Sequence, residues 1–279
     1  MELSFLQSLI LGLISGLAEV LPVSAQAHRV VILKLLGLDG DSTVLRLMTH
    51  IGIIFALFLY SRAHIARMMR AQRLVRIPKN RRKRPLDTDA LMDFNLLKFT
   101  LIPIILGVAL YGNFMGLTRK LLWIAGLLLI NGVILYIPQY LPGSNKASGA
   151  LSRLDSLYFG LGGALGVLPG VSSLGSAVSI GSVRGMDMNR TLSLALLMII
   201  PVHMGLAFMD LLTLLQAGAG SLTFGTVIFS AIGGAAAFLG VLVGIRLLKK
   251  IVENVGYSVF GFYSWGAGLM TFIIYLIAA

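Results

Sequence analysis

Glu19 stands in an otherwise apolar run, Gly16-Leu17-Ala18-Glu19-Val20-Leu21, immediately before Pro22. An ionisable group among such residues is costly to place in hydrocarbon, so it is a functional-site candidate by default. His28 follows nine residues later, with Arg29 beside it and Ser24 and Gln26 between. Folding about a proline turn would gather a carboxylate, an imidazole, a guanidinium and hydroxyl or amide groups. A carboxylate can hold a divalent cation or move protons, and an imidazole can act as base or nucleophile. The plainer alternative is that Glu19 pairs with Arg29 or caps turn amides, with His28 at an interface.

A second turn, Pro169-Gly170-Val171-Ser172-Ser173-Leu174-Gly175-Ser176, is rich in glycine and serine and opens a short helix. Free amides at a helix N-terminus, with the helix dipole behind them, suit an anion such as phosphate. Small residues also serve close helix packing, which is the competing reading. His50 and His203 fall on apolar helical stretches and read as satisfied core histidines, and Asp210 reads as interfacial.

These groups must be positioned by helices in lipid. The 279-residue chain is 57% hydrophobic and 12% charged, with a mean hydropathy of +0.90, far from the charge content of soluble domains. Apolar stretches long enough to cross a bilayer fall at about 45–61, 92–111, 120–141, 189–212, 224–248 and 256–278. Two more, about 3–37 and 155–184, are broken by the proline turns into pieces too short to span, and read as re-entrant helical hairpins. Gly16 to Pro22 matches Gly163 to Pro169 in spacing, and each broken region precedes three spans. An odd number of crossings per half makes the halves, about 1–141 and 155–279, an inverted repeat in a single membrane domain. The predicted fold is all-α: six transmembrane helices plus two re-entrant hairpins.

Charge orients this arrangement. The net charge of +12 comes largely from a loop at 62–91, which carries Arg62, Arg67, Arg70, Arg73, Arg76, Lys79, Arg81, Arg82, Lys83 and Arg84. The positive-inside rule puts that loop in the cytoplasm and explains the charge better than nucleic-acid binding, so no nucleic-acid partner is expected. There is no cysteine, hence no disulfide framework or thiolate metal site. The start lacks the basic n-region of a signal peptide and is expected to be retained.

Across nearly its whole length the sequence resembles the bacterial undecaprenyl pyrophosphate phosphatases, the bacitracin-resistance family of membrane lipid phosphatases. The likeness is carried by Gly16 to His28, His50-Ile51-Gly52, Tyr60-Ser61-Arg62, Ile102-Pro103, Leu168 to Ser172, Gly185-Met186-Asp187 and Pro201. The resemblance implies hydrolysis of undecaprenyl pyrophosphate to undecaprenyl phosphate, the carrier recycled for the cell wall, in a bacterial plasma membrane. It implies Glu19 and His28 as catalytic residues and Ser24, Arg29, Gly170, Ser172 and Ser173 as phosphate binders. Mg²⁺ or Ca²⁺ at Glu19 is the implied cofactor; the polyprenyl lipid, the bilayer and a second copy of the chain are the implied partners. The family's first motif has two acidic or amide residues four apart and then Pro-Val-Ser-Ser-Thr-Gly-His; here the first acid is Ser15 and the second serine Ala25. In the second motif, Pro-Gly-x-Ser-Arg-Ser-Gly, the arginine is Ser173 and the next serine Leu174, and a preceding glutamine is Gly163. Arg29 is the one obvious substitute cation. The alternative implied by these losses is a weakened or inactive homologue that binds or translocates polyprenyl phosphate.

Overall fold

A computed structural model describes residues 4–38, 40–140, 151–217 and 223–278. Its regular elements are helices in one order repeated twice: two short, then three long. The first set is α1 (Phe5–Val20), α2 (Ala25–Leu35), α3 (Thr43–Val75), α4 (Thr88–Phe114) and α5 (Leu121–Tyr136). The second is α6 (Arg153–Leu165), α7 (Ser173–Val183), α8 (Met188–Ala217), α9 (Phe224–Asn254) and α10 (Val259–Ala278).

The short pairs share their local chemistry. Both α1 and α6 open on a serine capping box, Ser4 with Gln7 and Ser152 with Asp155. Each pair then turns at the proline, and the second helix of each is capped by a turn serine. Ser24 accepts from Ala27 N, and Ser172 from Gly175 N. At 1.5 Å per residue, the 16 residues of α1 reach about 24 Å and the 11 of α2 about 16 Å, both short of a ~30 Å hydrocarbon core.

Among the described residues, six helices are long and apolar enough to cross a membrane: Thr43–Val75, Thr88–Thr118, Leu121–Tyr140, Met188–Ala217, Phe224–Asn254 and Val259–Ile277. Four contain the stretches expected from sequence, and the other two fall within the expected 120–141 and 256–278. The chain is therefore a multi-pass membrane protein. One expectation needs correction: 62–91 is not simply a loop. The first of these helices runs on through Val75, so Arg62, Arg67, Arg70 and Arg73 ride on a helical extension. Its 33 residues measure about 50 Å, and arginine, alanine and methionine are good helix formers once the chain leaves hydrocarbon.

Equivalent helices pack against each other. The α3 helix lies against α8 and α5 against α10, while α1 lies against α9 as α6 lies against α4. The partners run antiparallel. Arg46, near the start of α3, meets Asp210 near the end of α8, whereas His64 and Arg190, at the opposite ends, share Asp93. Antiparallel packing of equivalent helices is compatible with two halves that point opposite ways.

Small residues make the closest crossings. A Cβ on Gly12 would fall 2.1 Å from Gly233 O, and one on Gly16 would fall 2.0 Å from Ala237 O. Without water to drive association, such backbone approach is a main source of helix affinity in lipid. Replacing Gly16 by valine forces α1 off α9 against rigid backbone, a change expected to destabilise by at least about 1–3 kcal/mol. Thermal unfolding in detergent should show a clear drop for Gly16→Val, with Gly126→Ala, whose added Cβ meets nothing within 4 Å, unchanged.

Candidate active site

The two turns meet. Gly170 N–H donates to Ser24 Oγ at 3.1 Å, and a Cβ on Gly175 would lie 3.0 Å from Pro22 Cβ. Ser24 is the one described non-glycine residue with positive φ, +67°, a conformation that costs about 1–3 kcal/mol unless its surroundings hold it. They do so through its side chain, which also accepts from Ala27 N at 3.4 Å. Gly170 itself has φ +135°, and a Cβ there would fall 2.4 Å from Leu127 Cβ, so the position requires glycine.

Asn131 of α5 fastens the junction from the side. Its amide donates to Pro22 O (3.2 Å) in the first turn and to Ser264 Oγ (2.8 Å) of α10, and its oxygen accepts from Ser172 N (2.9 Å) in the second turn. The residue is fully buried. These bonds change the expected amide cradle. The Gly170 and Ser172 N–H groups are taken by Ser24 and Asn131, so neither points a free amide at a phosphate. Ser173 and Leu174 are left to supply the first-turn amides of α7.

Beside the junction lies a small, partly open cavity of about 60 Å³. Ser15, Glu19, Ser24, Gln26, Arg29, Arg46, Thr49, His50, Tyr111, Ser172, Ser173 and His203 are among its walls. The N-terminal ends of α2 and α7 both open onto it. Six expected residues are thus present around this space: Glu19, Ser24, Arg29, Ser172, Ser173 on its wall, and Gly170 at the junction behind it.

His28 is elsewhere. Its ring turns to the other side of α2, with Nδ1 2.9 Å from Ser24 O and Nε2 2.7 Å from Tyr263 Oη, and it stacks on the Tyr263 ring. One helical turn explains this. Ala25, Gln26 and Arg29 face the cavity, which leaves Ala27, His28 and Val31 to face α5 and α10. The structure does not bring His28 to Glu19.

The imidazole beside Glu19 is instead His203, read from sequence as core. Its Nε2 lies 3.2 Å from Glu19 Oε1, and its Nδ1 is 2.7 Å from Nδ1 of His50. His50 Nε2 is 3.5 Å from Asp210 Oδ2. The two carboxylate approaches are close contacts without hydrogen-bond alignment, whereas the ring-to-ring contact is aligned. Asp210 is not interfacial. It is 1% exposed and bound by Arg46 Nη2 at 2.6 Å. Arg29 does face the cavity, but Nε and Nη2 both bond Asp41 at 2.6 Å and Nη1 bonds Ser15 Oγ at 3.0 Å. Ser15, where the resembled motif has an acid, thus completes an arginine's hydrogen bonding.

Arg46, Asp41, Asn131 and the two histidines were missed as members of one site. Apart from the family resemblance around His50, their sequence signal is polarity within or beside apolar helices, and pairing across 153 or 164 residues is not visible along a chain. Replacing Asn131 by leucine would strand Pro22 O and Ser172 N without their partner, at about 1–3 kcal/mol for each buried group. Asn131→Leu is expected to lower the unfolding temperature in detergent markedly, and Asn131→Asp less, since Asp retains the acceptor for Ser172 N.

Known proteins resemble the chain over nearly its whole length. Residues 8–270 match the family model "Bacitracin resistance protein BacA". Among curated relatives, the chain is 27% identical to an undecaprenyl-diphosphatase of Methanobrevibacter smithii, over 97% of this chain and 98% of that one. It is 29% identical to an undecaprenyl-diphosphatase of Nocardioides sp. (97% and 96%). It is 30% identical to undecaprenyl-diphosphatase 2 of Streptomyces avermitilis (99% and 96%). A family match spanning nearly the whole chain, on a fold whose two motif turns touch, leads to one assignment: the chain belongs to the bacitracin resistance protein BacA family.

Proposed function

We propose that the chain hydrolyses undecaprenyl pyrophosphate to undecaprenyl phosphate and inorganic phosphate in a bacterial plasma membrane, with its basic end in the cytoplasm. The observation that carries this reading is the cavity: Glu19 and the N-terminal ends of α2 and α7 face one space at the junction of the two motif turns. The names of the full-length relatives support the same substrate.

The chemistry asks for a base, a place for phosphoryl oxygens and neutralisation of charge. Glu19 is the carboxylate available as base. Its Oε1 lies beside His203 Nε2, and the carboxylate accepts the proton of the attacking water. The water oxygen bonds to the terminal phosphorus, the bridging P–O bond breaks, and undecaprenyl phosphate leaves with that oxygen. Ser172 and Ser173, with the first-turn amides of α7, hold phosphoryl oxygens under the favourable end of the helix dipole. His28 has no part in these steps and belongs with Tyr263 on the far side of α2.

Charge balance supports a divalent cation. Around the cavity stand Glu19, Asp41 and Asp210 against Arg29 and Arg46, an excess of one negative charge with neutral imidazoles. A pyrophosphate entering alone would be repelled. Gln26 Oε1 is buried without a partner at the cavity wall, an oxygen donor of the kind Mg²⁺ or Ca²⁺ takes. Among the described residues no three His, Asp or Glu form a metal cage. The residues therefore fit a cation that arrives with the pyrophosphate, held by Glu19 and Gln26, and it would supply charge neutralisation for the departing phosphate.

Purified protein with Mg²⁺ or Ca²⁺ is expected to release phosphate from undecaprenyl pyrophosphate. Glu19→Gln should lower kcat about 10²–10⁴-fold, and chelation of divalent ions should abolish release. Wild-type release no faster than that of Glu19→Gln would defeat the hydrolase reading.

A further inference from the structure

The second turn of this chain carries no arginine; Ser173 stands in its place, packed so closely on Gly166 that a Cβ on that glycine would fall 1.7 Å from Ser173 Oγ. A pyrophosphate in the cavity still needs a cationic fork, since paired guanidinium N–H groups match phosphoryl oxygens as no single hydroxyl does. Two guanidinium groups line the space, and their hydrogen bonding separates them.

Arg29 is occupied. Its Nε, Nη1 and Nη2 all donate within the protein, two of them to Asp41. Arg46 is held on one edge only. Nε donates to both Asp210 oxygens at 3.2 and 3.3 Å, and Nη2 to Asp210 at 2.6 Å with a weaker contact to Thr43 at 3.4 Å. Its Nη1 makes no hydrogen bond among the described residues; the carboxylate oxygen it pairs with most closely, Asp41 Oδ2, is 4.0 Å away. Arg46 is also on the right wall. It sits one helical turn before His50, whose ring touches His203, which in turn touches Glu19. The sequence of contacts sets a carboxylate and a half-free guanidinium at the two flanks of one cavity, with the histidine pair between them. Asp210, with its side chain 2% exposed, has no solvent to satisfy it and so fixes the Arg46 fork in one orientation.

Resting on the pyrophosphate reading above, we infer that Arg46, braced by Asp210, is the phosphate-binding cation of this cavity, and that Arg29 is a structural partner of Asp41 and Ser15. The ligand chemistry is a pyrophosphate group, free or at the head of a prenyl lipid. Arg46 binds it through the two N–H groups of Nη1; Asp210 is a positioning residue that acts through Arg46.

The test is binding of two probes, inorganic pyrophosphate and farnesyl pyrophosphate, to detergent-purified full-length protein by calorimetry with Mg²⁺ present. Because Arg46→Gln alone strands a buried carboxylate, the informative variant is Arg46→Gln/Asp210→Asn, which removes both charges together. It is expected to weaken whichever probe the wild type binds by tenfold or more, while Arg29→Gln/Asp41→Asn weakens it less than threefold. Binding of farnesyl pyrophosphate alone would mark the lipid headgroup as the ligand; comparable binding of both would mark the free anion chemistry as sufficient. Arg46→Lys, which keeps a cation opposite Asp210 but loses the fork, serves if the double variant does not fold, and should weaken binding at least threefold. In Arg46→Gly, millimolar guanidinium should restore binding where sodium at the same ionic strength does not, as a site that needs a guanidinium opposite Asp210 requires. Wild-type-like affinity in the Arg46 variants, or a larger loss in the Arg29 pair, overturns the inference while leaving the pyrophosphate reading intact. If the wild type binds neither probe, that reading falls and this inference falls with it.

Discussion

The hydrogen bond from Gly170 N–H to the Ser24 hydroxyl is the contact on which the rest of the molecule depends. It joins two turns that lie 146 residues apart, each at the tip of a helix pair too short to cross a bilayer. Buried backbone that leaves helical geometry must find partners within the protein. The turns find them in each other and in Asn131, which takes one group from each. Ser24 is kept at positive φ by the same bonds, so the strain of that residue and the pairing of the halves are a single arrangement. Its consequence is geometric: two helix N-termini and Glu19 are brought to one cavity.

Much of the fold could be read along the chain. Apolar length located all six long helices, and the matched spacing of Gly16–Pro22 with Gly163–Pro169 pointed to two related halves that the antiparallel α3·α8 pairing is consistent with. Helix length and proline turns are local properties, so sequence exposes them. The site was legible only where it, too, is local. Glu19, Ser24, Ser172 and Ser173 fall at the turn tips and reach the cavity. His28 does not, because two residues of helix rotate a side chain by about 200°, and the facing of α2 is set by packing against α5 and α10 rather than by spacing. Conversely, His203, Arg46 and Asp210 sit in runs whose composition reads as spanning helix. Their meaning lies in who faces them.

The electrostatics of the cavity gives the departures from the resembled motifs a shared sense. At the positions that resemble the two motifs this chain carries the uncharged Ser15 and Ser173. Ser15 now accepts from Arg29, and Ser173 now packs on Gly166. The remaining charges form two arginine–carboxylate pairs, Arg29 with Asp41 and Arg46 with Asp210, with Glu19 left over against a histidine. Glu19 is therefore the one of these carboxylates that no arginine neutralises.

The most direct measurement is whether the two turns touch in the membrane. The chain has no cysteine, so a Pro22→Cys/Gly175→Cys variant carries a single possible disulfide. The built Cβ separation of 3.0 Å is close to the usual 3.5–4.5 Å range for a cross-link. Oxidation in native membranes should join the two turn peptides, as read by mass spectrometry, with little dependence on oxidant strength. Cysteines that stay free under strong oxidant, in protein that remains folded, would mean that the turns stand apart and that no shared cavity exists.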